Sequence, residues 1–191
     1  MCSSDLDNPT NSLRAALCEA AFLTGIERNA DVVRMSSYAP LLSNYNAWQW
    51  AHDMIWFDNT TVVKTPNYMV QKLYSNNAGT HTLDLAGLGK LPADCYAGAV
   101  LDETDDGNSV IFKFINLGKT AVPISMNIPG AADGMEVSVV GIKGDDLATK
   151  NDLADAERVK LVESKVKIDG TGIFAATQDP YSFMVYRIPV K

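Results

Sequence analysis

Residues 19–33 read EAAFLTGIERNADVV and residues 65–74 read TPNYMVQKLY, and the fold of the first third of the chain depends on these two stretches. Apolar residues at helical spacing before and through the first stretch predict a helix over residues 7–29, with Asn11 or Ser12 as its N-terminal cap. A strand and a second helix are expected to follow. Such a helix–strand–helix unit cannot bury both of its faces by itself.

The strand and the second helix are predicted from short local signals. Val32 to Met35 is a β-branched, mostly apolar run, which is typical of a buried strand, and we place that strand at residues 32–39. Thr65 can cap a helix whose first residue is proline, because proline there gives up only an amide that would lack a partner. We therefore predict the second helix over residues 65–77.

The connection at residues 40–64 is long and rich in aromatic residues, and it holds all three tryptophans of the chain. A connection of this length without regular structure is more often functional than idle. The alternative is that the rings only fill space beneath a loop. The aromatic residues are Tyr45, Trp48, Trp50, Trp56 and Phe57.

From about residue 80 onward, short runs of alternating apolar and polar residues replace the helical pattern. Asp106-Gly107 between two such runs predicts a hairpin, because glycine accepts positive φ at no steric cost. In the run after it, Val110, Phe112 and Phe114 share one face, and Ile111, Lys113 and Ile115 share the other. Regular short strands at this spacing predict a two-sheet antiparallel sandwich. The predicted strands are Tyr96–Asp102, Ser109–Asn116, Val122–Ile128, Met135–Ile142, Val159–Ile168, Ile173–Ala176 and Ser182–Ile188.

Composition argues against several classes of partner. The chain of 191 residues has a net charge of −7 and scattered lysines, so we expect no nucleic-acid face. No apolar run approaches the roughly 20 residues of a membrane span. Three widely spaced cysteines and two histidines offer neither a disulfide framework nor a metal signature, so we predict no metal site and no cofactor.

The first residues of the chain have neither the basic nor the apolar region of a signal peptide. Residues 1–6 contain Cys-Ser-Ser-Asp-Leu, which a common sequencing adapter encodes when it is translated. We interpret residues 1–6 as an artefact, with the true sequence beginning near Asp7. The compartment of the protein stays open.

Several distinct motifs follow one another along nearly the whole chain. In the first third they are Glu19–Val33, Met35–Leu41, Ile55–Asn59 and Thr65–Tyr68, and in the last third Leu147–Leu153 and Pro180–Phe183. Together they resemble consecutive motifs of α-L-arabinofuranosidases of glycoside hydrolase family 51. The resemblance implies a (β/α)8 barrel followed by a jelly-roll-like sandwich.

The expected fold is therefore mainly β, with an antiparallel β-sandwich that is jelly-roll-like at residues 79–191. Residues 7–78 would be the last helix–strand–helix unit of a (β/α)8 barrel, namely its seventh helix, eighth strand and eighth helix. This division agrees with the two pieces that periodicity alone predicts.

The resemblance also implies an activity, the retaining hydrolysis of terminal non-reducing α-L-arabinofuranosyl residues of plant polysaccharides, as part of arabinose metabolism. Retaining glycosidases place two carboxyl groups about 5–5.5 Å apart. In the family both are glutamates, one after Asn and one before Tyr, and no glutamate of this chain stands in either context. We therefore assign no catalytic residue and expect this chain alone to be inactive.

An arabinofuranosyl-containing oligo- or polysaccharide is the partner that the resemblance implies. Barrel enzymes place functional groups at the C-terminal ends of strands, which here means the segment from Tyr38 to Asn59. Aromatic rings can stack on a sugar, and Asp or Asn can hold its hydroxyls, so the predicted substrate-binding residues are Tyr38, Trp48, Trp50, Asp58 and Asn59. The alternative function is a non-catalytic carbohydrate-binding or interaction module built on the sandwich.

Overall fold

The computed structural model of the chain describes residues 11–85, 88–105, 107–169 and 173–190. The helices in these ranges are α1 (Leu13–Arg28) and α2 (Pro66–Asn76). Three short strands come first, β1 (Leu42–Asn44), β2 (Ile55–Phe57) and β3 (Val62–Lys64). The remaining strands are β4 (His81–Thr82), β5 (Cys95–Thr104), β6 (Gly107–Asn116), β7 (Val122–Asn127), β8 (Glu136–Lys143), β9 (Val162–Lys167), β10 (Ile173–Gln178) and β11 (Ser182–Val190).

Both predicted helices are confirmed, and their caps explain where they begin. The side chain of Ser12 accepts a hydrogen bond from the amide of Ala15, so α1 begins at Leu13, while residues 7–10 of the prediction and the suspected artefact at 1–6 lie outside the described residues. Thr65 accepts in the same way from the Tyr68 amide, and Pro66 opens α2. The N-terminal amides of a helix need such acceptors because they have no partner inside the helix.

The strand predicted at residues 32–39 is wrong for this chain. Residues 31–32 form a turn and residues 33–38 have no regular structure, with Val32 76% and Met35 86% exposed. A strand needs a neighbour to satisfy its backbone groups, and no described segment pairs with these residues. The nearby strands instead lie in the aromatic connection, where β1 pairs in parallel with β2, and β2 pairs antiparallel with β3.

The mainly β prediction is confirmed, and all seven predicted strands are present. Six strands form one sheet in the order β4-β5-β6-β11-β8-β9, and β7 pairs with β10 in a second, two-stranded sheet. Every strand pair in these two sheets is antiparallel. The predicted hairpin joins β5 to β6, with Thr104 opposite Gly107 at φ +136°, while Asp106 lies outside the described residues.

The six-stranded sheet is buried on both faces, so the molecule has three layers. Helices α1 and α2 cover one face, where Leu17 and Leu73 pack with Ile111 and Ile115. The β7–β10 pair covers the other face, where Phe174 packs edge-on against Tyr186 at a centroid distance of 5.2 Å. The predicted alternation along β6 is therefore confirmed, and both of its faces are core. The helix-facing core takes residues from both sides of residue 78.

Lys113 is the one exception to the apolar composition of β6 between residues 110 and 115, and it is fully buried. Its ammonium forms an ion pair with Glu27 at the end of α1 and lies 4.9 Å from the centroid of the Tyr74 ring on α2. Burial lowers the pKa of Lys113, and the carboxylate of Glu27 opposes that shift. A single side chain of the sheet thus contacts both helices.

Replacing Lys113 with alanine should cost about 3–5 kcal/mol of unfolding free energy, because it leaves the Glu27 carboxylate inside the interface without its cation. Urea denaturation followed by circular dichroism measures this loss. Since an apolar pair of similar volume removes both charges, Glu27→Leu combined with Lys113→Met should recover most of the stability.

The matched control is Lys165→Ala, because Lys165 pairs with Glu136 on the sheet surface, where both side chains are about half exposed or more. That change should cost less than about 1 kcal/mol. Equal losses for Lys113→Ala and Lys165→Ala would contradict the role given to the buried pair.

Candidate functional site

A groove opens between the aromatic connection and the loop that follows β8, and its volume is about 240 Å³. One side is formed by the connection and the other by residues 150–152, which lie about a hundred positions further along the chain. The floor includes Asn11 and Thr65 from the starts of the two helices. The side chains that give the groove its character are Tyr45, Trp48, Trp56, Lys150, Asn151 and Asp152.

Three aromatic rings form the first side of the groove. The Trp56 ring lies 5.1 Å from Tyr45, tilted by 43°, and 5.9 Å from Trp48, at 66°, measured between centroids. The indole N–H of Trp56 donates to the carbonyl of Asp53 at 2.9 Å, which fixes the middle ring. Trp48 remains 54% exposed. The rings therefore form a supported aromatic surface that is open to solvent at Trp48.

Asn11 holds the base of this loop in place. Its side-chain amide donates to the carbonyl of Asp53 at 2.9 Å and to the hydroxyl of Tyr38 at 3.0 Å. The Tyr38 hydroxyl in turn donates to the carbonyl of His52 at 2.8 Å. Burial, helped by the negative charge of Glu19, raises the pKa of Tyr38 to about 12. Tyr38 therefore stays protonated as a donor and acts as a support of the loop.

Asn151 fixes the second side of the groove. Its amide nitrogen donates to the carbonyls of Lys64 and Val159, both at 2.8 Å, and its oxygen accepts from the Val159 amide at 2.8 Å. The same loop also caps the start of α1, where the Leu13 amide donates to the carbonyl of Thr149 at 2.7 Å. The loop after β8 is thereby tied to the first segment of the chain.

Asp152 brings a charge to the groove. Its side chain accepts from Arg158 at 2.5 Å and from the amides of Ala154 and Asp155 at 2.9 and 3.0 Å. The hydrogen bond from Arg158 is the main reason that the pKa of Asp152 is lowered, so the carboxylate stays ionised. Burial, with the charges of Asp152 and Asp58 adding to it, raises the pKa of Tyr45.

The structure brings only part of the sequence-predicted set to this groove. Trp48 lines it, and Tyr38 supports it from behind through Asn11. Trp50, 66% exposed, does not line it. Asp58 accepts from the amides of Thr60 and Thr61 in a tight turn, which lowers its pKa, and Asn59 is exposed within that turn.

Asp152 and Lys150 belong to the Leu147–Leu153 motif, but they were not among the predicted substrate contacts. They are polar residues in a loop, and only the packing of the loop after β8 against the helices places them beside the rings. Tyr45 and Trp56 were part of the aromatic run but were not among the predicted contacts. Aromatic walls with a few placed polar groups are the usual composition of a small-ligand site.

Two further kinds of site concern the side chains and helices of the described ranges: metal-binding clusters and membrane-spanning helices. No group of three His, Cys, Asp or Glu side chains there is arranged to hold a metal ion. Neither α1 nor α2 is a candidate membrane span.

The fold and the groove together define a class of protein. It is a mainly β domain that carries two helices on its six-stranded sheet and an aromatic groove beside the starts of those helices. The family model of the alpha-L-arabinofuranosidase C-terminal domain matches residues 3–182. The chain therefore belongs to this family, the C-terminal domain of glycoside hydrolase family 51 enzymes, which confirms the resemblance.

Curated relatives of the chain are named as alpha-L-arabinofuranosidases. The chain is 31% identical over 170 residues to alpha-L-arabinofuranosidase 1 of Arabidopsis thaliana, covering 85% of this chain and 24% of that protein. It is 54% identical over 69 residues to an extracellular exo-alpha-L-arabinofuranosidase of Streptomyces chartreusis, covering 36% of this chain and 8% of that protein. The chain thus spans less than a quarter of the length of these relatives.

Solved structures share the fold. An arabinose-bound family 51 α-L-arabinofuranosidase superposes with a TM-score of 0.83 at 23% identity, over 96% of this chain and 28% of its own. The α-L-arabinofuranosidase of Thermotoga maritima, an arabinose complex, gives a TM-score of 0.75 at 17% identity, over 97% of this chain and 40% of its own. At these identities the likeness concerns the fold.

Replacing Asn151 with alanine should cost about 2–3 kcal/mol of unfolding free energy, because it leaves the buried carbonyl and amide of Val159 without this partner and frees the partly buried carbonyl of Lys64. Hydrogen exchange should also speed up in the loop at residues 150–159, since its anchor is lost. Urea denaturation and exchange mass spectrometry measure the two effects.

The control is Asn76→Ala at the exposed end of α2. A surface change of this kind should stay within about 0.5 kcal/mol. If Asn151→Ala behaved like this control, Asn151 would not be the anchor of the second side of the groove.

Proposed function

We propose that this chain is part of a retaining α-L-arabinofuranosidase, which hydrolyses terminal non-reducing α-L-arabinofuranosyl residues of plant polysaccharides. The observation that carries the proposal is the match of the family's C-terminal domain over residues 3–182. The names of the curated relatives support it, since they are all arabinofuranosidases. The substrate and the retaining mechanism are inferred from the family.

We further propose that residues 7–78 are the last helix–strand–helix unit of a (β/α)8 barrel, and that residues 79–191 form the sandwich domain. The exposed apolar side chains between the helices support this, because Val32, Met35, Leu41 and Leu42 are 76%, 86%, 47% and 59% exposed. A segment of this composition is suited to burial between neighbouring parallel strands. In the proposed enzyme, residues 32–39 gain their ladder partners from the rest of the barrel.

Under this proposal, the predicted sugar contacts Tyr38, Trp48, Trp50, Asp58 and Asn59 lie on the side of the chain that faces the barrel opening. Barrel enzymes bind substrate at the C-terminal ends of their strands. The exposure of Trp48 and Trp50 supports a role in stacking, because both rings are available to a ligand.

The six glutamates of this chain fall into two groups. The two on α1 bind other side chains, and the other four belong to the sandwich segment. Glu19 accepts from Asn67 and Gln71 on α2, and burial raises its pKa. Glu27 is paired with Lys113. The remaining glutamates belong to the sandwich segment, namely Glu103, Glu136, Glu157 and Glu163. None is proposed as acid/base or nucleophile.

The purified 191-residue chain is expected to release no 4-nitrophenol from 4-nitrophenyl α-L-arabinofuranoside, because it offers no pair of glutamates in the family's catalytic contexts. The protein encoded by the complete genomic reading frame around this sequence is expected to release it. Colorimetric assay of both proteins at equal concentration tests the two statements.

A glutamine substitution of the glutamate that precedes Tyr in the longer protein is the control, and it should abolish release. Hydrolysis by the 191-residue chain would contradict the first statement. Inactivity of the longer protein on chromogenic and natural arabinofuranosides would overturn the proposed function and favour the non-catalytic module.

A further inference from the structure

We propose that the groove between residues 45–56 and 150–152 binds one neutral pentose ring of an arabinofuranosyl-containing oligosaccharide, with Trp48 as the stacking surface and Asp152 as the acceptor for a sugar hydroxyl. The identity of the sugar rests on the proposed function. The sandwich segment completes this subsite through Asp152, which is not among the predicted sugar contacts.

The aromatic side is ready to stack on a sugar. Trp48 contacts Trp56 edge-on and is 54% exposed, so about half of it is available to a ligand. Trp56 is held by its hydrogen bond to Asp53 and by the Tyr45 ring. A rigid aromatic surface loses little conformational entropy when a ligand binds, which favours affinity.

The polar side has an acceptor with spare capacity. A carboxylate offers about four lone-pair positions. Among the described residues, Oδ1 of Asp152 accepts from two backbone amides and Oδ2 accepts from Arg158 alone, so Oδ2 retains one position. Arg158 also keeps this carboxylate ionised. A sugar hydroxyl can donate to Oδ2 and form a charge-assisted hydrogen bond.

Tyr45, which lines the same groove, provides a hydrogen-bond donor. The Tyr45 hydroxyl stays protonated, because burial raises its pKa and the charge of Asp152 adds to that shift. Lys150 lines the same side of the groove as Asp152. A sugar hydroxyl both donates and accepts, so it suits a site where a carboxylate and a hydroxyl donor lie together.

Size and hydrogen bonding restrict the ligand. A volume of about 240 Å³ lies below the roughly 300–1,000 Å³ of pockets for drug-sized ligands, so the groove suits one ring of a chain whose remainder stays in solvent. A ligand carboxylate cannot donate a hydrogen bond to Oδ2 of Asp152, whereas a sugar hydroxyl can. A neutral pentose is therefore favoured over a uronic acid.

Isothermal titration calorimetry of the 191-residue chain with α-1,5-linked arabinotriose tests the subsite. We expect saturable binding, and a loss of about tenfold or more in affinity for Trp48→Ala and for Asp152→Asn, the size expected for losing one contact of this strength. Trp48→Phe should keep part of the affinity, since it keeps an aromatic face. Trigalacturonate should bind more weakly, because its carboxylates cannot donate to Oδ2 of Asp152.

The control is Phe22→Ala, which removes an exposed ring of α1 that does not line the groove and should bind as the unchanged chain does. Thermal unfolding shows whether Asp152→Asn has loosened its loop; in that case Trp48→Ala decides. No saturable binding by the unchanged chain, or equal affinity for Trp48→Ala, overturns the subsite.

The test separates this proposal from the proposed function. Binding of arabinotriose that depends on Trp48, together with a longer protein that hydrolyses no arabinofuranoside, would leave the subsite standing and remove the enzymatic assignment. Hydrolysis by the longer protein without binding by this groove would support the enzymatic assignment and remove the subsite.

Discussion

The buried ion pair between Lys113 and Glu27 joins the helices to the sheet. Taking a lysine out of water is costly unless a carboxylate compensates for it, and here the carboxylate belongs to a residue 86 positions away. The ammonium also lies against the Tyr74 ring, so α1, α2 and β6 must be positioned together. Around this contact, an apolar interface fills the space between the helices and the sheet.

This arrangement makes the two segments of the chain depend on each other. The six-stranded sheet presents Ile111, Ile115 and Phe183 to the helices, and these side chains are fully buried only because the helices are there. A sandwich segment without residues 1–78 would expose the part of that face which the helices cover. Removing the first segment is therefore a poor way to test whether the sandwich binds sugar by itself.

Local chemistry explains what the sequence could predict. Ser12, Thr65 and Pro66 mark helix starts by hydrogen bonds within one turn, and alternation along β6 marks a strand without reference to its neighbours. The strand predicted at residues 32–39 depended on something else, because an apolar composition becomes a strand only where partners can pair with it. Likewise, the alternation predicted the position of Lys113 in the strand but not its distant partner, Glu27.

Local sequence signals predicted only part of the groove as well. Trp48 was predicted because tryptophan in a long connection is conspicuous, whereas Asp152 is one of many aspartates in loops. What places it beside the rings is a set of hydrogen bonds between the loop after β8 and the first segment. Asn151 of that loop donates to the Lys64 carbonyl, and the Leu13 amide at the start of α1 donates to the Thr149 carbonyl of the loop. Those bonds join the same two segments that the buried ion pair also holds together. The site is thus a property of the interface, and neither segment carries it alone.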